Sequence, residues 1–346
     1  WLGPIVQSSK ESLGFILLLG VVVMADLALL SIGPALHGQR HHLEEQADFR
    51  ERAIGHRHRH RRPGGPVTVT KQFFRLQHLT NGIATGWQRV GVQMAFYTRT
   101  IAEIRNAFVH YKLEIVRLIA VMSLGTGALA VIGGTVVIIG FLTLSAGAII
   151  AVQGYNSLAG IGVEALTGFI SAYANVRIIA PVVAGIGLAA TIGAGATAQL
   201  GAMRISEEID ALEVVGVHSI AFVVSTRVIA GIITILPTFL ITMLAAYLSS
   251  ALIVQAQGES AGAYGHYFNQ FVNFPDLLYA TLKVSIFIVV IIVIHCYKGY
   301  FAAGGPEGVG VASGRAIRAS LVVIVALDLL LTTIFWGFNS QFVFRG

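Results

Sequence analysis

Residues 178–217 read IIAPVVAGIGLAATIGAGATAQLGAM followed by RISEEIDALEVVGV, and this change from an uncharged, apolar stretch to an acidic one decides the fold. The first part, residues 178–203, holds no charged side chain, and it exceeds the about 20 apolar residues that a helix needs to cross a bilayer. Four acids follow at once: Glu207, Glu208, Asp210 and Glu213. The stretch therefore predicts a membrane helix that leads into a short acidic segment outside the lipid.

Similar apolar stretches recur on both sides of this one, each with at most one charged residue. They predict membrane spans over about residues 118–152, 165–203, 220–252, 277–297 and 319–343. Within them, Val, Ile and Leu alternate with Gly, Ala, Ser and Thr, a mixture that lets helices approach closely in lipid. The chain is therefore predicted to be an all-α, polytopic membrane protein.

Composition supports a membrane protein and excludes several other classes. Of the 346 residues only 12% are charged, about half the fraction typical of soluble domains, and 55% are hydrophobic. Cys296 is the only cysteine, which excludes a disulfide framework or a multi-cysteine metal site within the chain. The net charge of +6 lies next to membrane segments, so anionic lipid headgroups are a nearer partner than nucleic acid.

Basic residues between the spans predict the orientation. The loops at 204–227 and 298–318 carry five Lys or Arg residues, whereas the loops at 153–164 and 255–276 carry none. The positive-inside rule places the first pair of loops in the cytoplasm. The first crossing then runs outward, and the C-terminus is extracytoplasmic.

The N-terminal third divides into an uncertain extension and an amphipathic region. Residues 1–66 contain a possible extra membrane helix over 13–36 and a basic His/Arg linker over 37–66. Arginines interleave with the linker histidines and oppose metal binding, so a headgroup-facing linker is favoured. Residues 67–117 alternate apolar and polar at helical spacing, which predicts a helix in the cytoplasmic interface, with a soluble amphipathic helix as the alternative.

Sequence motifs for chemistry are missing. The chain has no G-x-x-x-x-G-K-[ST] phosphate loop, no G-x-S-x-G and no H-E-x-x-H, so neither ATP hydrolysis nor hydrolase or metalloprotease chemistry is expected of it. The glycine-rich run 193–198 lies within a span and follows no strand, so close helix packing is preferred to dinucleotide binding. No cofactor or metal is predicted.

The acidic segment has a helical pattern of its own. Ser206 is placed to cap a helix whose first turn holds Glu207 and Glu208, where the helix dipole favours acids. Ile209, Leu212 and Val215 then recur on one side. The pattern predicts a short cytoplasmic helix with an apolar stripe and an acidic flank; a solvated loop is the alternative.

These residues carry a family resemblance. Val176-Arg-Ile-Ile-Ala-Pro-Val-Val183, Gly193-Ala-Gly-Ala-Thr-Ala-Gln-Leu-Gly-Ala-Met-Arg204 and Glu207-Glu-Ile-Asp-Ala-Leu-Glu213 resemble the signature of MlaE-type lipid ABC permeases. Further matches are Val152-Gln-Gly-Tyr155, Lys283-Val-Ser-Ile-Phe287 and Gly304-Gly-Pro-Glu-Gly-Val-Gly310. The chain is most similar to the actinobacterial YrbE permeases that accompany Mce proteins, and the similarity covers about residues 100–344.

The resemblance implies a non-enzymatic half-transporter with an interfacial amphipathic helix, five transmembrane helices and a cytoplasmic coupling helix. ATP would be hydrolysed on a separate ATPase subunit. Other implied partners are a second YrbE-like permease, in a hetero-oligomer, and Mce-type extracytoplasmic substrate-binding proteins. The implied location is the plasma membrane of a bacterium. Carried over to this chain, the ATPase-coupling residues are Arg204, Glu207, Glu208, Asp210, Ala211, Leu212 and Glu213.

Two departures from the family bear on the substrate. Where phospholipid-transporting members have a Gly-Arg-Ala-Gly pattern and a later Glu, this chain has Ala190-Thr191-Ile192-Gly193 and Gln199. Loss of that arginine removes a charged donor suited to a phosphate. A sterol or a fatty acid is therefore favoured over phospholipid, and the chain is similar to the sterol-linked branch of B-type YrbE subunits.

The remaining candidates are polar residues within or near the spans. Charge at membrane depth is costly and often functional, so such residues are candidates for the lipid pathway or for interhelical ion pairs, with snorkelling as an alternative for Arg177 and Lys283. The set consists of Gln153, Tyr155, Arg177, Thr191, Gln199, Lys283 and Asp328. Asp328 also keeps open an alternative function, a proton-coupled secondary transporter without an ATPase. A membrane enzyme acting on lipid lacks the motifs it would need.

Overall fold

The computed structural model of the chain describes residues 90–124 and 134–337. In these ranges the structure is helical and contains no strand, as the sequence predicts. The described residues from Phe96 onward form one compact unit. Predictions about residues 1–66, and about residues 67–89 of the amphipathic region, lie outside the described residues.

The helices are numbered here in chain order. Three come before the first long apolar helix: α1 spans residues 90–102, α2 Ile104–His110 and α3 Lys112–Leu124. The others are α4 Gly134–Ala159, α5 Glu164–Ile205, α6 Glu208–Val214, α7 Ile220–Ala256, α8 Ala261–Phe271, α9 Phe274–Tyr300 and α10 Gly305–Trp336.

Five of these helices, α4, α5, α7, α9 and α10, are long and apolar enough to cross a membrane. Because they alternate in direction, their ends gather at two levels. We call the level that holds α6 the acidic end, and the level that holds α8 the opposite end. The five-helix prediction is confirmed.

The described helices extend beyond several of the predicted spans, because hydropathy marks only the apolar part of a helix and polar residues can continue it. Within the span predicted over 118–152 the structure describes two helices, α3 up to Leu124 and α4 from Gly134, which has a φ of 56°; residues 125–133 lie outside the described residues. The loops predicted at 153–164, 204–227 and 255–276 contain the end of α4, all of α6 and all of α8.

The last predicted span, 319–343, reaches beyond residue 337, where the described residues end. Helix α10, Gly305–Trp336, contains the described part of this span and starts well before it. Its start follows Gly304, which has a φ of 93°, and Pro306 stands in the first turn, where its fixed backbone angle suits a helix. Most of the loop predicted at 298–318 is therefore helix, because polar residues continue the helix beyond the apolar part.

Helices α4 and α7 pack closely because small and hydroxylated residues line their contact. Thr143 Oγ1 donates to Thr242 O at 3.1 Å, Ser249 Oγ to Leu144 O at 2.8 Å, and Ser250 Oγ to Gly147 O at 2.8 Å. In lipid, such interhelical hydrogen bonds and van der Waals contact replace the hydrophobic effect as the packing force. The mixture of small and apolar residues in the sequence anticipated this kind of contact.

Candidate functional site

Helix α6 lies at the acidic end and is anchored by one apolar side chain. Ile209 is fully buried, whereas Glu208, Asp210 and Ala211 are exposed. The chain turns sharply into α6 at Glu207, whose φ of 61° is the only positive value of a non-glycine residue in the described ranges. The segment predicted as a short acidic helix is therefore a helix, fixed to the spans on one side.

Side chains tie both ends of α6 to neighbouring helices. Arg204 Nη1, at the end of α5, donates to Asp210 Oδ1 at 2.6 Å. Glu213 Oε1 accepts from Ser219 Oγ at 2.6 Å and from Tyr300 Oη, the last residue of α9, at 3.3 Å. Exposed ion pairs contribute little energy, so these bonds mainly set the orientation of α6.

Two details of the predicted helix are corrected. Ser206 does not cap α6: it directly follows the last residue of α5, and its hydroxyl donates to Ala202 O and to the Glu208 carboxylate. Nor do all three apolar residues face inward. Leu212 is half-buried, and Val215 is 72% exposed.

The outward surface of α6 combines acids with valines. Val214 is 87% exposed and Val215 is 72% exposed at the end of α6, and the acids Glu207 and Glu208 are exposed at its start. Exposed apolar side chains on the same short helix as exposed acids are compatible with a protein–protein contact. The surface is thus suited to a partner that offers basic and apolar groups.

A cavity of about 370 Å³, here called the span pocket, lies among α3, α4, α5 and α7. Helix α5 lines it over about two helical turns with Thr191, Gly195 and Gln199, among others. A side chain added at Gly195 would meet no atom within 4 Å of its Cβ, so this wall of the pocket is open. The two substrate-related positions chosen from the sequence therefore share one cavity.

A second cavity of about 760 Å³, the acidic-end pocket, extends from the same residues toward α6. Glu208, Ala211 and Leu212 line it from α6. Four residues line both pockets: Leu118, Val121, Gln199 and Arg227. The span pocket and the predicted coupling helix are thereby joined through a short set of shared side chains.

A network of charges lies at the opposite end of the spans. Lys283, 0% exposed, forms an ion pair of 2.6 Å with Asp328 and donates to Arg177 O at 2.8 Å. Arg177 forms an ion pair of 3.0 Å with Asp276, which also accepts from Trp336 Nε1 at 2.7 Å. Two cations and two anions thus neutralise each other between α5, α9 and α10, and Lys283 does not snorkel.

The family described as Permease MlaE matches residues 124–334. The chain belongs to the MlaE permease family. In structural terms the match runs from the end of α3 nearly to the end of α10, so it includes α6 and most of both pockets.

Individual relatives agree with this membership. A probable ABC transporter permease protein of Rickettsia bellii is 29% identical over 58% of this chain and 77% of its own length. The intermembrane phospholipid transport system permease protein MlaE of Haemophilus influenzae is 28% identical over 55% and 74%. The chloroplastic protein TRIGALACTOSYLDIACYLGLYCEROL 1 of Arabidopsis thaliana is 31% identical over 51% of each chain. This MlaE permease is thus a multi-pass subunit of an ABC lipid transporter.

Like the charged network, the two candidates Gln153 and Tyr155 lie apart from both pockets of the permease. Gln153 is exposed on α4, and Tyr155 Oη donates to Gln257 O at 3.1 Å. Tyr155 packs against a small cluster that includes Tyr264 of α8. Burial raises the pKa of the Tyr264 phenol, which therefore stays neutral and donates to Ser171 Oγ at 3.0 Å. The hydrogen bond between Tyr264 and Ser171 holds α8 against α5 at the opposite end.

Sequence reasoning missed two residues of the permease. Arg227 was assigned to a cytoplasmic loop, but it belongs to α7. It lies just after the π-helical turn with which α7 begins, and it is only 6% exposed. Asp276, the partner of Arg177, was not selected. An arginine next to an apolar stretch indicates a helix boundary as readily as a buried site. Arg177 and Asp276 are 99 positions apart in the sequence, so no local pattern links them.

Proposed function

We propose that this MlaE permease is the membrane subunit of an ATP-driven lipid importer of the Mce/Mla type. Separate cytoplasmic ATPase subunits bind at α6, a second YrbE-like permease completes the membrane unit, and Mce-type proteins deliver lipid from outside. The complex works in a bacterial plasma membrane, with the amphipathic region and α6 cytoplasmic and the C-terminus extracytoplasmic. The permease itself carries no catalytic, cofactor or metal role.

The attachment of α6 carries this proposal. A helix anchored by buried Ile209 and tied to α5 and α9 through Asp210 and Glu213 moves together with those helices. Its exposed acids and valines offer the contact surface, and three of its residues, Glu208, Ala211 and Leu212, line the acidic-end pocket. A partner that pushes or pulls on α6 therefore acts on the walls of the lipid pathway.

The substrate we favour is a sterol or a fatty acid, in keeping with the sterol-linked YrbE branch. Thr191 lines the span pocket where phospholipid-transporting members carry an arginine, and its hydroxyl is already bonded to Gly187 O at 2.7 Å. Several apolar side chains make up the nearby wall, among them Leu118, Val121, Met122 and Ile138. Such a wall suits a hydrocarbon skeleton better than a bulky charged headgroup.

The proton-coupled alternative requires Asp328 to gain and lose a proton during transport. Asp328 instead stands 2.6 Å from Lys283 Nζ in an ion pair between α9 and α10, so a proton cycle on Asp328 would have to break this pair. Asp328 also lines neither pocket. These observations favour the ATP-driven mechanism.

Affinity purification from the native organism tests the proposed coupling. The tagged permease is expected to retain polypeptides that contain the G-x-x-x-x-G-K-[ST] motif, and the double variant Glu207→Arg/Asp210→Arg is expected to lose them. Glu259→Arg, at the opposite end, is the matched charge-reversal control. An intact complex with normal lipid uptake in the double variant would refute coupling through α6.

A further inference from the structure

We infer that Arg227 and Gln199 form a subsite for the singly charged anionic head group of a lipid, a carboxylate or a phosphodiester. The inference rests on the proposed lipid-transport function and narrows its substrate class. It concerns the region where the span pocket and the acidic-end pocket share lining residues.

Arg227 is a buried cation with unused hydrogen-bond donors. Its guanidinium has five N–H donors in a rigid fork. Nη1 donates to Val223 O, and Nη2 donates to Gln199 Oε1 at 3.2 Å. Nε has no partner, although the residue is only 6% exposed. Both partners of Arg227 are neutral groups.

The other two deeply placed cations of the described residues, unlike Arg227, each have a carboxylate partner. Lys283 has Asp328 at 2.6 Å, and Arg177 has Asp276 at 3.0 Å. In the described ranges no carboxylate lies within 4.0 Å of Arg227. An uncompensated charge at membrane depth is costly, and such residues commonly mark a substrate or ion pathway.

The nearest candidate for a counter-charge is already engaged. Glu114 lines the acidic-end pocket together with Arg227, but its carboxylate pairs with Arg117 Nη1 at 3.3 Å. Arg117 is 74% exposed in its side chain, so this pair sits at the rim of the pocket. The missing anion for Arg227 must therefore come from outside the described residues, and a bound ligand meets this need.

The shape of the span pocket indicates what kind of ligand. Arg227 is the only charged residue among its described lining residues. Most of the surrounding residues are apolar or small, which suits a hydrocarbon tail, and a single cation matches a single negative charge. The amide nitrogen of Gln199 has no partner in the described ranges and adds further donors beside the guanidinium.

The two ligand classes that share this chemistry are fatty acids or acidic steroids, with a carboxylate, and phosphatidylglycerol-like lipids, with a phosphodiester. Both accept charge-assisted hydrogen bonds from a guanidinium. A neutral sterol or alcohol cannot neutralise Arg227. The subsite therefore predicts discrimination by head-group charge, independent of the tail.

Photo-crosslinking of the full chain in nanodiscs tests this discrimination. The probes are a diazirine-labelled oleic acid and the equally labelled oleyl alcohol, and labelling of residues in α3, α5 and α7 is quantified by mass spectrometry. The variants are Arg227→Gln, which removes the charge, and Arg227→Lys, which keeps it. Arg318→Gln is the matched control, because Arg318 is an exposed arginine of α10 that lines neither pocket.

The wild-type chain and Arg318→Gln are expected to label at least about tenfold more strongly with the acid than with the alcohol, the size of a lost charge-assisted hydrogen bond. Arg227→Gln should lower this ratio to near one, and Arg227→Lys should retain part of it. A misfolded variant would lose both probes together, so a selective loss of the acid supports the subsite.

Three further outcomes separate the claims. Competition by unlabelled oleate identifies a carboxylate ligand, whereas competition by phosphatidylglycerol supports the anion subsite but contradicts the substrate class favoured above. Equal labelling by acid and alcohol in the wild-type chain refutes the role of Arg227 while lipid binding stands. Failure of both probes to label the pockets would overturn the subsite and the proposed lipid pathway together.

Discussion

At the scale of single residues, the sequence identified which charges lie in the spans but not what they contact. Lys283 and Asp328 stand out in apolar surroundings, so the sequence predicts an interhelical ion pair as one alternative for each without indicating the partner; in the structure they pair with each other. For Arg227, in contrast, the sequence did not even indicate that the charge is buried. It sits at the edge of an apolar stretch and reads as a loop residue, yet packing of α3 and α5 around it buries it.

The buried ion pair predicts a specific pattern of stability. Asp328→Asn leaves the Lys283 ammonium without its counter-charge, which should cost about 3 kcal/mol. The unfolding midpoint in mild detergent should then fall by roughly 5–10 °C. The double variant Lys283→Met/Asp328→Leu should recover most of this loss, because removing both charges removes the need for pairing.

This pair of variants also separates a structural role from proton transport. If both variants fold and the double variant still transports lipid, the ion pair is structural. Loss of transport in a stable double variant would show that the charges act in the transport step itself.

Gly195 allows the span pocket to be filled without disturbing the fold. A Cβ at this position meets nothing within 4 Å, and the residue is helical, where leucine is favoured over glycine by about 0.8 kcal/mol. Gly195→Leu should therefore preserve the thermal midpoint while reducing lipid crosslinking and transport severalfold. The matched control is Gly265→Leu in α8, which also has open space but lies outside both pockets.

At the scale of helices, the sequence predicted the type of element well and its boundaries poorly. Helix α6 was predicted from its acids and its apolar spacing, and it exists as Glu208–Val214. Its start is set by the left-handed Glu207 and by the continuation of α5 through Ile205, not by a serine cap. Hydropathy does not encode such turn geometry, so the capping prediction failed.

The two sides of α6 should respond differently to substitution. Ile209→Ala removes the buried anchor, which should cost about 2 kcal/mol and make amide hydrogens of residues 208–214 exchange roughly 30-fold faster. Val214→Ser/Val215→Ser should leave exchange unchanged, since both valines are exposed, but should weaken ATPase retention in pull-downs. Normal retention in the valine variant would remove the valines from the proposed contact.

Two glycines of α4 test the close contact with α7. At Gly147 an added Cβ would overlap Ala246 O and lie 2.7 Å from Ser249 Oγ, so Gly147→Ala should separate the helices and lower the yield of folded protein severalfold. At Gly140 the nearest atom, Thr242 Cγ2, is 3.8 Å away. Gly140→Ala should therefore be neutral or slightly stabilising. Equal melting curves for the two variants would contradict the close packing described here.

At the scale of the whole molecule, the five-span architecture follows from hydropathy because lipid imposes a length and an apolar composition on each crossing. The position of the pockets cannot be predicted from hydropathy. They form where α3 packs beside α5 and α7, and their lining residues are separated by more than 100 positions in the chain, as Leu118 and Arg227 are. Only the three-dimensional packing brings Thr191, Gln199 and Arg227 to one cavity.

The central claim, that ATP hydrolysis on a partner drives lipid through this permease by way of α6, is tested most directly by reconstitution. The permease complex purified from its native organism is placed in liposomes, and transfer of fluorescent fatty acid or sterol is measured with and without ATP. We expect transfer to require ATP and the retained ATPase, and to be lost in Glu207→Arg/Asp210→Arg. Transport by the permease alone, driven by a proton gradient without any ATPase, would contradict the claim.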